Sequence, residues 1–432
     1  MNQQLLSQVM ASCVNAPDWL MKKRQLAVLL QERFKSTPAA EKIMAAWLEN
    51  PSLAQLEQAA GEQVNAEKAA TDAGGEVKTA AIGSGRNVSH DAAVKAKAAS
   101  RVDQNRAANG TTGWVNLPLF AAANAYPELL QENLMEKAIS WQDSQLNAMH
   151  LALLNGGRFI YIPDGTIVKE PIELTVDCPL PNYHNLVIVG AGAQATIVEH
   201  QTATSRQPAY FGTELLLGDG ARVDYYQSNR FSAVQNHQAV RAYQAQHSVL
   251  NMYLALFDEH DLTTDFYANL DGQGGAAEIK MVTIASGRQV QDVQTQILNH
   301  GPHTVGNIVQ NGVAKDKAVL NFHAVGKTER GAYGANSQQQ SRILTLSDEC
   351  KGEADPVLLI EENDVNAGHA ASIGKVDADD LYYLESRGLS EHDAQVLLTR
   401  GFLLPVLNQF PDQKLRENLV DELAQRLEEK HE

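Results

Sequence analysis

The chain has 432 residues, enough for two or three structural units, with an ordinary apolar fraction of 44% and 35 basic against 52 acidic residues, a net charge of −17. That balance argues against a nucleic-acid binder, which needs clustered Lys and Arg, and against docking on an anionic membrane; its bland reading is solubility in a cytosol. Three scattered cysteines (Cys13, Cys178 and Cys350) fit neither a disulfide framework, a Cys-x-x-Cys zinc site nor a cluster ligand set, and point to a reducing compartment.

The opening MNQQLLSQVMASCVNA lacks a basic region ahead of its apolar positions and reads as an amphipathic helix, not a leader. Leu5, Leu6, Val9 and Met10 share a face. Leu26, Leu29, Leu30 and Phe34 recur at helical spacing, and Ile43, Met44, Trp47 and Leu48 follow until Asn50-Pro51 breaks the pattern. Residues 52–110, rich in Ala, Gln, Gly and Glu, can bury little surface and are expected to be a mobile linker or weakly held helices. Helical periodicity returns over 128–155, so 1–155 reads as an N-terminal helical region.

From 156 to 362 the texture is different. Short β-rich runs such as FIYI, NLVIVG, TELLLG, SVLNMYLALF, AAEIKMVTIA and KAVLNFHAVG are separated by Gly, Asn and Asp, with hardly a helix between them. About two hundred residues of one-strand-one-turn units suit a β-helix, in which each coil buries its inward face on the next, although no strict repeat is visible. Residues 363–432 return to helices. Asp377 caps one, Gly388 closes it, Ser390 caps the next, Pro405 and Pro411 punctuate, and Leu415, Leu419, Leu423 and Leu427 stripe the last.

Few residues announce chemistry. His300 and His303 form an H-x-x-H interrupted by Gly-Pro, with no third ligand in view, and read as a turn. GAGAQA (190–195) is followed by strand-like TIVEH where a dinucleotide loop would need a helix. No Walker A or G-x-S-x-G sequence is present, so ATP hydrolysis and nucleophile-elbow chemistry are not expected. His369, in NDVNAGHAASIG (363–374), stands alone at a joint between strand-like and helical sequence. It reads either as a structural histidine or as one donor of a site shared between domains.

The stretch LLIEENDVNAGHAASIGKVDADDLYYLESRGLSEHDAQVLLTRGFL closely resembles the signature of the SufB/SufD family of iron–sulfur cluster assembly scaffolds. Asp364-Val365, His369, Gly374, Tyr383-Leu384, Ser386-Arg387-Gly388 and Gly401-Phe402 stand in the matching places. Weaker similarity covers FIYIPDGTIVKEPIEL (159–174), NLVIVGAGAQATIVEH (185–200) and SQQQSRILTLSDEC (337–350), with Gln339 and Arg342 in matching places. APDWLMKKRQLAVL near the start is similar to SufD-type N-terminal helices.

The resemblance implies a mainly β fold with α, a right-handed parallel β-helix core (156–362) flanked by helical N- and C-terminal domains. It implies a non-catalytic cytoplasmic subunit that pairs with a SufB-type paralogue and docks a SufC-type ATPase, with a homodimer in isolation as the other arrangement. His369, Gln339 and Arg342 would lie at the partner interface, with a nascent iron–sulfur cluster there and none held stably by this chain alone. His369 would be the shared metal donor. Tyr382, Tyr383, Leu384, Arg387, Gly388 and Leu389 would dock the ATPase. Many SufD sequences carry Cys two residues before the histidine; here it is Ala367, so any thiolate must come from the partner. The alternative is a β-helix carbohydrate lyase or glycosidase, for which DEHDLTTD (258–265) is the best acidic stretch.

Overall fold

A computed structural model describes residues 16–49, 113–177, 182–203, 207–231, 233–410 and 413–428. The stretch 52–110 expected as a linker lies outside the described residues, as do Leu5, Leu6, Val9, Met10, Cys13 and Cys178.

Helices α1 (Asp18–Leu30) and α2 (Pro38–Glu49) come first. A short strand β1 (Val115–Pro118) leads into α3 (Leu119–Ala125), α4 (Pro127–Asn133) and α5 (Gln145–Ala152). Then come β2 (Arg158–Ile162), β3 (Ile172–Asp177), β4 (Asn182–Val189), β5 (Gln194–Ala203), β6 (Ala209–Leu217) and β7 (Arg222–Phe231). The run continues through β8 (Gln235–Gln244), β9 (Val249–Leu256), β10 (Asp261–Leu270), β11 (Ala276–Ala285) and β12 (Val290–Asn299). It ends with β13 (Val305–Ala314), β14 (Val319–Thr328), β15 (Ala335–Thr345), β16 (Lys351–Ile360) and β17 (Val365–Lys375). Helices α6 (Ala378–Ser386), α7 (Glu391–Leu407) and α8 (Gln413–Glu428) close the chain.

The strands wind into a parallel β-helix. Even-numbered strands build a nine-stranded sheet headed by β1, which alone pairs antiparallel; odd-numbered strands from β3 build an eight-stranded sheet facing it. Each coil thus gives one strand to each sheet. Parallel register stacks like on like: Ile172, Ile197, Tyr225, Met252, Ile279, Ile308, Gln339 and His369 form one column across the odd strands. Alternation points that column inward, and its members from Ile172 to Gln339 are buried.

Coils turn where one residue adopts positive φ and donates its N–H to the next coil. Gly220, His247, Gly274, His303 and Gly334 occupy successive places in that file. The two histidines sit at φ 56, and glycine on the following coil makes room for each ring: a Cβ on Gly274 would lie 2.6 Å from His247 Nδ1, and one on Gly334 closer still to His303. His300 pairs with Glu329 at 2.7 Å, and among the described residues no group of three or more His, Cys, Asp or Glu is placed to hold a metal. Likewise GAGAQA is the β4–β5 corner.

The N-terminal helices cover the first coils of the nine-stranded sheet. Buried Arg24 donates to Ala152 O at 2.9 Å, and Trp47 Nε1 to Pro208 O at 2.7 Å. The buried face of α1 carries Leu20, Arg24, Ala27 and Val28, whereas Leu26 and Leu29, expected on the apolar stripe, are exposed. The periodic stretch 128–155 is two helices, not one: the chain breaks after Asn133 and turns at Met135, φ 53.

At the other end, α7 and α8 lie on the outer face of the eight-stranded sheet. Leu403, Leu407, Phe410, Leu419 and Leu423 meet Tyr226, Phe257, Val282, Ile284 and Val313. Lys315 Nζ caps the end of α8 through Arg426 O at 3.1 Å and Leu427 O at 3.0 Å, while Arg426 reaches Asp258 O at 2.8 Å. Pro405 does not punctuate: α7 runs through it to Leu407. Proline has no N–H to give the Gly401 carbonyl four residues back, so the helix runs on at the cost of that one bond.

Candidate functional site

The strand ladder does not stop at 362. Residues 365–375 form β17, so His369 lies in an edge strand and not at the joint with the helical region, which begins at Ala378. β17 pairs with β15, and β16 with β14; beyond them no further strand is present among the described residues. The last coil therefore leaves two open strand edges and an uncapped interior, with Leu359, Ile360 and Ile373 exposed.

His369 is the open-ended member of the inward column. Its register partner Gln339 is only 4% exposed, and Gln339 Nε2 donates to Val357 O on the facing sheet at 3.2 Å. Ala367 also faces inward, next to Ser337. Deeper in, Ser341 Oγ donates to Gln310 Oε1 at 2.7 Å. Polar and small side chains thus line the mouth of a core that is aliphatic further back. Outside, an open groove of about 450 Å³ crosses the odd strands between Glu278, Asn307, Gln338 and Gln340 and ends at β17 beside His369.

Arg342 does not join this group. It stands three residues from Gln339 on the same strand, hence on the opposite face, and its guanidinium lies 5.5 Å from the Phe402 ring of α7. Cys350 is not beside His369 either. Its Sγ donates to Ser347 O at 3.1 Å and Ala314 O at 3.3 Å, at the corner where β16 begins.

A second surface is built by α6. Asp377 caps it, accepting from Asp379 N at 2.8 Å, and Gly388 at φ 97 ends it, so that Leu389 N donates to Leu384 O at 3.3 Å. None of its residues is buried. Tyr382 is 73% exposed and Tyr383 55%, with the Arg387 guanidinium 5.1 Å from the Tyr383 ring centre. Leu389 and, on α7, Leu397 are also exposed, whereas Leu384 is half-buried.

The interior holds polar clusters that no sequence pattern announced. His150 Nε2 lies 3.1 Å from His184 Nδ1, and His184 Nε2 lies 3.0 Å from Glu214 Oε1. Glu214 also accepts from Met135 N at 2.6 Å and Ile139 N at 3.0 Å, pinning the N-terminal loop to the β-helix. Burial first, and His184 second, hold His150 well below the usual imidazole range. Glu199 accepts from Tyr225, Gln201, Thr213 and Asn185, yet burial pushes its carboxyl up. The members come from α5 and from strands β4, β5, β6 and β7, so only the winding brings them together. The stretch 258–265 supplies no free carboxylate pair for glycosidic chemistry: Asp258 is buried, Glu259 is paired with Arg230 at 3.1 Å, Asp261 accepts from Val290 N at 2.9 Å, and Asp265 is paired with Arg241 at 2.9 Å.

A family model described as the SUF system FeS cluster assembly, SufBD core domain, matches residues 177–402. The chain is 35% identical over 325 residues to the iron–sulfur cluster assembly protein SufD of Bacillus subtilis, covering 73% of this chain and 74% of that protein. It is 30% identical over 284 residues to an iron–sulfur cluster assembly SufBD family protein of Synechocystis, covering 61% and 62% respectively. The β-helix, its flanking helices and these matches agree: the chain belongs to the SufB/SufD family and is of the SufD type.

Proposed function

We propose that this chain is a non-catalytic scaffold subunit of iron–sulfur cluster assembly in the cytosol, pairing with a SufB-type paralogue and docking a SufC-type ATPase. One observation carries the reading: His369 ends the inward column on an edge strand, at the mouth of an uncapped β-helix. A second subunit adding there would satisfy the open backbone groups and cover the exposed Ile360 and Ile373. Iron and sulfur are cargo on this reading. A neutral imidazole suits iron, and Cys350, the one cysteine among the described residues, is not beside it, so on this reading the thiolate belongs to the paralogue. Arg342, facing α7, falls outside this site and into the helical side of the assembly.

The α6 surface fits the ATPase, because an exposed aromatic pair beside an Arg is the composition of an interface centre. Closure of an ATPase dimer would pull on α6 and α7, and α7 is anchored to the outer sheet by its buried leucines. Nucleotide would then bias the subunit interface by differential contacts with two states.

The test is co-expression with the paralogue and the ATPase, with affinity capture and cluster formation followed by visible absorbance. His369→Ala is expected to keep the complex and lose roughly tenfold or more in cluster formation. A double Tyr382→Ala, Tyr383→Ala variant is expected to lose the ATPase from the captured complex. A chain that captures no ATPase, together with a His369→Ala variant that assembles clusters as the parent does, would overturn the reading.

A further inference from the structure

The buried amide of Gln339 is half satisfied. Its Nε2 donates to Val357 O at 3.2 Å, while Oε1 is buried and has no hydrogen-bond partner. The amide cannot be turned over without setting Oε1 against the Val357 carbonyl, so its orientation is fixed by chemistry. Of its two register neighbours, Ile308 offers no donor and His369 offers a ring N–H. Same-face neighbours on adjacent parallel strands stand about 4.8 Å apart, within reach of two side chains of this length. Room for the amide comes from the facing strand, where Gly326 has no side chain: a Cβ there would lie 2.7 Å from Ser337 Oγ and would also crowd Gln339 Nε2.

We propose that Gln339 is a positioning residue for His369: the exposed imidazole, which is not bonded to the amide in this structure, turns about its side-chain bonds so that the orphaned amide oxygen accepts one ring N–H, fixing the tautomer and pointing the other nitrogen's lone pair out of the open end toward the cargo. An acceptor-only oxygen selects a tautomer as a second partner does for metal-binding histidines. The functional consequence rests on the scaffold reading above; the pairing itself does not.

The experiment uses the full chain labelled with 15N-histidine, with the His369 signals identified by their loss in His369→Gln. Long-range proton–nitrogen spectra at alkaline pH report the tautomer. Wild-type protein should show one tautomer, and Gln339→Met a mixture with the nitrogen shifts drawn together. A mixed tautomer in the wild type, which needs no variant to fold, or an unchanged tautomer in Gln339→Met, overturns the pairing. With the partners present, Gln339→Met should also slow cluster formation several-fold with capture of the paralogue unchanged. If the tautomer shifts and cluster formation does not, the pairing stands and the role given to His369 falls.

Discussion

Asp258 shows how much one interior side chain can govern. Its Oδ1 accepts from Phe231 N at 3.1 Å and its Oδ2 from Gln238 Nε2 at 3.1 Å. Burial nevertheless outweighs these bonds and the nearby Arg426, and pushes the carboxyl up to about 8. The unfolded chain gives up this proton near pH 4, the folded chain near 8. Between those limits the folded state binds more protons, so stability falls as pH rises, by about 1.4 kcal/mol per unit at most, and levels off above 8. Asp258→Asn removes that slope. Its amide N–H can be received if Gln238 turns over, provided that Gln227, which now donates Nε2 to Gln238 Oε1 at 3.3 Å, turns with it and offers its buried, unpartnered Oε1. Urea denaturation should therefore place the variant above the parent at pH 8, with the gap closing as pH approaches 4. A gap that stays constant with pH would mean that Asp258 is already ionised in the folded protein.

Corners and packing decide the elements. The His303–Gly334 contact predicts that Gly334→Ala costs roughly 1–3 kcal/mol, from positive φ and from the imidazole it would strike. Adding His303→Ala should recover the steric part and leave the backbone part, a coupling that a double-mutant denaturation cycle reads directly. Additive costs would show that the ring moves aside freely. These corners also explain what could be read ahead of the structure. Strand-rich sequence punctuated by Gly was visible from 156 onward, and it implied the β-helix. The repeat was not visible, because coil length varies: Tyr225 pairs with Met252, 27 residues on, but Ile308 with Gln339, 31 on. The α1 face was misread because Arg24 takes a core position there by bonding Ala152 O, displacing Leu26 and Leu29 outward. In the same way β17 was assigned to the helical region. With no further coil to fill, its inward residues Ala367 and Ala371 are small, and the alternation that marks a strand is missing.

Across the whole molecule, protection is uneven from end to end. Helices α3–α5 and β1 cover the early coils, and α7 and α8 cover one outer face, but among the described residues nothing caps the last coil or covers its edges. This asymmetry is what sequence reasoning could place only by resemblance. His369 and Gln339 are register neighbours because strands 30 residues apart stack in register, and Arg342 leaves them because side chains alternate. A buried column that ends in an exposed histidine, beside Ile373 at 47% exposure, distinguishes a docking end from a merely frayed one by what substitution does. Ile373→Asp removes apolar surface that is already half in water and adds a charge that water can solvate. Monomer stability should change by less than about 1 kcal/mol. In an assembly the same carboxylate would be buried against a partner without a counter-charge, at a cost of several kcal/mol. Light scattering should accordingly show loss of association with the paralogue at concentrations where the parent chain binds, while the denaturation midpoint of the isolated chain holds. Equal association by variant and parent would remove the open end from the interface and return it to solvent.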